Sequence, residues 1–264
     1  MDLGLGDKVV LVTGSTAGIG LAAAVGFARE GATVILNGRT QARVDQARTT
    51  IAKAMPGAKL RGVAADVGTA AGCAAMIAAE PAADVLINNV GMYGPKAFED
   101  IGDDEWLQHF DVNVMSGVRL ARHYLRGMLA KDWGRIIFIS SESAIQVPAE
   151  MVPYGMTKAA QLAVSRGLAE RTRRTGVTVN CVLPGPTRSE SLDAFVWGRA
   201  KDRGIADADV EKDFFATARP SSLIGRFETA EEVANLIVYT ASTKASATTG
   251  CSLRVDGGMV RSII

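Results

Sequence analysis

Tyr154 and Lys158 lie four residues apart, one helical turn, and so share a face. A free phenol ionises near pH ~10 and is a poor base at neutrality. An ammonium beside it favours the phenolate, so the pair can pass a proton to or from an oxygen. Ser141 follows a β-branched apolar run, where its hydroxyl can donate to an oxygen that gathers charge. Far upstream, Thr13-Gly14-Ser15-Thr16-Ala17-Gly18-Ile19-Gly20 directly follows the run Val9 to Val12. A strand, a glycine turn and a helix in that order offer backbone N–H groups and a positive dipole end to a pyrophosphate. A dinucleotide turn and a proton-transfer pair in one chain point to hydride transfer between a nicotinamide and a carbonyl or alcohol.

Taken singly, each feature has a structural explanation. A Tyr and a Lys at this spacing usually form a surface pair, a serine at a strand end usually makes a turn, and the glycines can be a turn and nothing more. The joint pattern is what argues for chemistry.

The next apolar run, Thr33 to Asn37, ends in Gly38-Arg39. A site selective for NAD usually places a carboxylate here, on the adenosine ribose. This chain offers a glycine and then a cation that can pair bidentately with a 2′-phosphate. NADP(H) is therefore expected in preference to NAD(H). The competing explanation is that Arg39 caps a surface turn.

These residues need a frame. Val9 to Val12, Val34 to Leu36, Val85 to Ile87, Ile136 to Ile139 and Val177 to Leu183 are apolar on both faces, as covered parallel strands must be. Weaker strand signals fall at 59–65 and 251–255. Between the runs lie helix-length patterns. One carries Val44, Ala47, Ile51 and Ala54 at spacings of three and four, and others cover about 18–30, 69–79, 103–130, 153–175 and 229–241. Alternation of this kind predicts an α/β fold of one domain over residues 1–264, a doubly wound parallel sheet with helices on both faces. Residues 187–226 break the rhythm, hold Phe195, Trp197, Phe214 and Phe215, and read as a lid over the site.

Composition removes other classes. A net charge of +1 gives no pull toward nucleic acid or an anionic membrane, and the cluster Arg171, Arg173 and Arg174 reads as a solvated helix face. Cys73, Cys181 and Cys251 are widely spaced, and His109 and His123 are the only histidines, so no metal site is expected. The unpaired cysteine count fits a cytoplasmic protein. Residues 9–28 carry no charge, but the glycine turn interrupts them, and Asp2 is wrong for a signal peptide. They read as strand, turn and helix.

At this point the chain resembles the short-chain dehydrogenase/reductase family over nearly its full length, including 3-oxoacyl-[acyl-carrier-protein] reductase-like members. The resemblance rests on Thr13-Gly14-x-x-x-Gly18-x-Gly20, Asp66-Val67, Asn88-Asn89-Val90-Gly91, Asn113, Ser141, Tyr154-x-x-x-Lys158, Pro184-Gly185 and Asp256-Gly257-Gly258. Val90 departs from the family's usual alanine, with an effect expected on packing only. The resemblance implies a Rossmann-type sheet of about seven strands in the order 3-2-1-4-5-6-7. It implies a catalytic set of Asn113, Ser141, Tyr154 and Lys158, with Asn113 holding a water that links Lys158 to solvent. Gly14, Ser15, Thr16, Gly18, Ile19, Gly20 and Arg39 would serve the cofactor, as would Asp66 and Val67 at the adenine and Asn88, Asn89, Val90 and Gly91 along the adenosine ribose. Pro184, Gly185 and Thr187 would meet the nicotinamide.

Met92, Tyr93, Ser143, Ile145, Gln146, Met151, Pro186 and Trp197 are the expected substrate pocket, an apolar set that suits a neutral or acyl ketone. Substrates kept open are a 3-oxoacyl thioester and a free ketone, sugar, steroid-like or quinone-like compound. An acyl carrier protein is not favoured as a partner, since Asp132, Trp133 and Thr175 stand where an acidic partner would want cations, although Arg173 and Arg174 are close. The alternative of another class is a catalytically silent, dinucleotide-binding regulatory protein. The family also implies a homotetramer or homodimer, with 103–130 and 153–175 across one two-fold axis. The apolar tail Met259 to Ile264 reads as a contact at a second axis, and the alternative is a monomer whose tail packs on itself.

Overall fold

The structure is a computed structural model and describes residues 2–263, apart from the side chains of Ser191, Phe195 and Arg199. Phe195 and Ile264, both singled out in the sequence, thus lie outside the described residues. Seven strands, β1 (Val9–Val12), β2 (Thr33–Gly38), β3 (Lys59–Ala64), β4 (Val85–Asn88), β5 (Gly134–Ile139), β6 (Val177–Pro184) and β7 (Ser252–Val255), form one sheet. Their order is β3-β2-β1-β4-β5-β6-β7, as the resemblance implied, and every pairing is parallel. Every residue of β4, β5 and β6 is buried, which is why they are largely apolar, with Arg135, Thr178 and Asn180 as buried exceptions. The edge strands β3 and β7 are only partly covered.

The helices are α1 (Gly18–Arg29), α2 (Gln41–Ala54), α3 (Ala70–Ala79), α4 (Asp103–Phe110), α5 (Ser116–Ala130), α6 (Val152–Arg171), α7 (Glu190–Asp202), α8 (Val210–Thr217) and α9 (Ala230–Ala241). Phe27, Ala47, Ile51 and Ile237 bring α1, α2 and α9 onto one face of the sheet. Met76, Leu120, Tyr124 and Ala169 bring α3, α5 and α6 onto the other. Chain order reverses across the sheet between β1 and β4, so a crevice opens beyond their carboxyl ends.

Three expectations need correction. The helix read over 103–130 is two helices joined by a π turn, Asp111–Met115, which leaves the apolar period almost unbroken and so leaves no trace in the sequence. The helix read to 175 stops at Arg171, because Thr172 Oγ1 donates back to the Ala169 carbonyl and Arg174 turns to a φ of 62°. The stretch 187–226 is not irregular. It folds as α7 and α8 around a small core of its own, formed by Val196, Ala200, Val210, Phe215, Phe227 and Met259.

Candidate active site

At the end of β1 the chain turns through Gly14 and Gly18, with φ of 62° and 53°. A Cβ on Gly20 would stand 2.4 Å from the Gly14 carbonyl oxygen, so only glycine lets α1 start this close to the strand. Asn37 fastens the turn: its Oδ1 accepts from Gly14 N at 3.2 Å, and its Nδ2 donates to Ala65 O at 2.9 Å. Ala17, the N-cap of α1, offers no side-chain acceptor, and the first turn has no acid. The helix N-terminus is therefore left for an external anion, which fits a dinucleotide pyrophosphate. Beyond β2, a Cβ on Gly38 would meet Thr16 Cγ2 at 2.6 Å, so a side chain at 38 has no room. Arg39 is exposed there and makes no ion pair among the described residues.

The other half of the crevice is built by β5, the π turn and α6. Ser141, in extended backbone after β5, caps a short 3₁₀ turn by accepting from Ser143 N at 3.1 Å. Its Oγ donates to Glu142 Oε2. Lys158 Nζ lies 5.4 Å from the centre of the Tyr154 ring and donates to the Ile139 carbonyl at 2.8 Å. Tyr93 meets the same ring edge to face at 5.9 Å. Asn113, wholly buried in the π turn, accepts from Met92 N at 2.7 Å and donates to Met92 O and Thr157 Oγ1 at 2.9 Å each. Its own carbonyl accepts from Gln161 Nε2 at 2.7 Å. One cavity of about 1090 Å³ takes in the glycine turn, Arg39, Ser141, Tyr154 and Lys158.

The family model for short chain dehydrogenases matches residues 8–196. The chain belongs to the short-chain dehydrogenase family. It is 48% identical to the uncharacterized oxidoreductase YvrD of Bacillus subtilis over the whole of both chains. It is 34% identical to the D-beta-hydroxybutyrate dehydrogenase of Cupriavidus necator, over 97% of this chain and 99% of that one. The crystal structure of L-sorbose reductase from Gluconobacter frateurii, complexed with NADPH and L-sorbose, superposes with a TM-score of 0.92 at 34% identity, covering all of both chains. The protein is thus an NAD(P)-dependent oxidoreductase.

Electrostatics in this short-chain dehydrogenase differ from the sequence expectation. Tyr154 is not made more acidic. Burial, followed by the charge of Glu142, pushes its ionisation well above the usual phenol range, against a smaller opposing hydrogen bond from Ser141. Lys158 pays for the same burial, which brings its ammonium down to about 8 despite a favourable pull from Glu142. Glu142 is 5% exposed, and its own carboxyl is pushed up by burial against the pull of Ser141 and Arg219.

The expected site residues sort clearly. Gly14, Thr16, Gly18, Ile19, Gly20, Arg39, Asp66, Val67, Asn89, Val90, Gly91, Pro184, Gly185 and Thr187 line the cavity, as do Met92, Tyr93, Ser143, Met151 and Pro186 of the expected substrate pocket. Ser15 and Asn88 lie behind its wall: Ser15 Oγ accepts from Asn37 N, and Asn88 packs against Gly117. Asn113 stands one layer back as well, held against Met92. Three residues expected in the substrate pocket do not line this cavity. Trp197 is stacked between Arg188, 4.6 Å away, and Phe227, Gln146 Nε2 donates to Ser221 Oγ at 3.4 Å, and Ile145 is 44% exposed outside the cavity. Missed were Asn37, Glu142, Glu150 and Arg219, together with Leu192, Val196 and Phe214 of the 187–226 stretch. Only the position of Glu142, directly after Ser141, could have signalled one of them.

Among the described residues no helix is long and apolar enough to cross a membrane, and no cluster of His, Cys, Asp and Glu could hold a metal.

Proposed function

We propose that the protein is an NADP(H)-dependent reductase of a ketone, working reversibly on the matching secondary alcohol. The observation that carries this reading is the convergence of Ser141, Tyr154, Lys158 and Arg39 on one cavity. The bound nicotinamide would supply or accept the hydride. Ser141 donates a hydrogen bond to the carbonyl oxygen, and Tyr154 gives the proton that the developing alkoxide needs. Lys158 holds positive charge beneath the phenol ring, and Asn113 fixes the Met92 backbone at the pocket wall. Arg39 takes the 2′-phosphate, in a corner where Thr16 keeps position 38 free of a carboxylate. The segment 187–226 covers the substrate end as a lid, and the protein works in the cytoplasm as a homotetramer.

Oxidation of NADPH and of NADH, followed with a panel of ketones, aldehydes and acyl thioesters, tests the reading. At least one ketone is turned over, and NADPH gives the higher kcat/KM. Arg39→Ala lowers the NADPH/NADH ratio of kcat/KM by about tenfold or more, the worth of a charge-assisted bidentate contact. Equal use of both coenzymes by the wild type would remove the preference for NADP(H).

A further inference from the structure

Three charged groups at the substrate end have no part in the reaction described so far. Glu142 and Arg219 are largely buried, Glu150 is partly exposed, and all three line the cavity. Arg219 Nε stands 3.7 Å from Glu142 Oε1, and its Nη1 stands 3.7 Å from Glu150 Oε1. Both separations exceed the roughly 2.7–2.9 Å of a charge-assisted hydrogen bond. The guanidinium therefore lies between two carboxyls without closing on either, while its flat face lies 5.8 Å from the Phe214 ring. Burying a carboxyl is costly unless its oxygens find donors. Glu142 takes hydrogen bonds from Ser141 and Ser143, but from the guanidinium it has only this open contact, which leaves space between carboxyl and cation for a donor arriving with the ligand.

Position narrows the ligand. Glu142 directly follows Ser141 and accepts the Ser141 hydroxyl at Oε2. A serine hydroxyl has one proton, so Ser141 must turn it away from Glu142 to hold the carbonyl oxygen. The carboxyl then loses that donor beside the bound oxygen, and a donor on the neighbouring carbon of the substrate can replace it. Arg219 already faces Glu142 and Glu150 and so has no unshared charge to offer a substrate carboxylate. An acyl thioester carbonyl could accept from Arg219 but brings no hydroxyl donor for the two carboxyls.

We infer that Glu142, with Arg219 and Glu150 beside it, recognises a hydroxyl on the carbon next to the reacting carbonyl. The substrate class is then a small hydroxyketone of the polyol or sugar kind. This rests on the reading of the cavity as a carbonyl-reductase site. Either protonation state of Glu142 can serve, because a hydroxyl both donates and accepts.

The test compares 1-hydroxy-2-butanone with 3-pentanone, which replaces the hydroxyl by a methyl, and adds acetoacetate and an acetoacetyl thioester, all with the wild-type protein and saturating NADPH. The hydroxyketone is favoured over 3-pentanone by about 100-fold or more in kcat/KM, as for sites built to bond a substrate hydroxyl. Glu142→Ala cuts that ratio by about tenfold or more, and Arg219→Met, a second variant from another element, lowers it as well. Equal efficiency with the two ketones in the wild type, a higher kcat/KM for acetoacetate or the thioester, or an unchanged ratio in Glu142→Ala overturns the inference and leaves the reductase reading standing. If neither these four nor any ketone or aldehyde of the wider panel oxidises NADPH, the reductase reading falls and takes the inference with it; turnover of a panel ketone without turnover of 1-hydroxy-2-butanone overturns the inference alone. The wild-type ratio requires no variant to fold.

Discussion

Tyr154 is held as a protonated phenol by burial and by the charge of Glu142, with Ser141 pulling weakly the other way. That state suits reduction, where the phenol must give a proton and not take one. Tyr154→Phe should lower kcat for ketone reduction by about 10²–10⁴, with NADPH affinity measured by fluorescence left as in the wild type. Turnover near that of the wild type would remove Tyr154 from the reaction. Lys158 gives a second measurement. Its folded-state value, about 8, lies below the ordinary lysine value of 10.5. The unfolded chain therefore binds more protons between those two points, and wild-type stability rises with pH across that window. Below about pH 8 the cost of the buried ammonium is fully present. Denaturant unfolding of the wild type and Lys158→Met should then show the wild type gaining on the variant between pH 8 and 10.5, and a constant difference would contradict the assignment. The Tyr/Lys pair and Ser141 were legible in the sequence because spacing alone puts them on one helix face and one strand end. Glu142 and Arg219 were not, since a single acid in a polar loop, or a single arginine beyond a helix, reads as solvated surface until the fold turns both inward.

Elements were legible where burial leaves a one-dimensional mark. The strands β4 and β5 are covered on both faces and are marked by the unbroken apolar runs Val85 to Ile87 and Ile136 to Ile139, while β6 buries Thr178 and Asn180 among its apolar residues. The start of α9 carries a capping box, Thr229 with Glu232. The π turn before α5 escaped because one extra residue in a turn hardly disturbs a helical pattern, although it positions Asn113. The tie between the carboxyl end of β6 and the chain entering α9 also escaped. Glu228 Oε2 accepts from Gly185 N at 3.2 Å and from Thr187 Oγ1 at 3.4 Å. Its Oε1 is buried with no hydrogen-bond partner. Burial, with Asp256 and Glu142 adding repulsion, raises this carboxyl to about 8 against the pull of Gly185 and Thr187. Between the ordinary glutamate value of 4.5 and about 8 the folded protein binds the extra proton, so stability falls as pH climbs through that range. Glu228→Gln stays neutral and keeps an acceptor for Gly185. Its Tm should match the wild type near pH 4.5 and exceed it at pH 8 and above. Parallel curves for the two proteins would show that Glu228 is charged throughout.

At the scale of the whole molecule, one parallel sheet fixes both halves of the crevice, and the α7–α8 unit, built around a separate core, lines one end of the cavity. Two large apolar side chains are left outside these cores on one helix. Leu107 is 66% exposed and Phe110 39% exposed, three residues apart and so on one face of α4. A soluble chain gains little from apolar side chains held together in water, and a two-fold axis beside α4 would bring this face against its own copy. An isologous contact of that kind doubles each apolar group and each charge, so one substitution acts twice. Leu107→Arg would set two cations against each other across the axis and should dissociate that contact, while the active-site cavity, which Leu107 does not line, keeps its coenzyme affinity. Light scattering on the eluting peak should give four 27.7 kDa chains for the wild type and a smaller assembly for the variant. A wild type that elutes as a single chain would mean that α4 faces solvent and that the tetramer proposed here does not form.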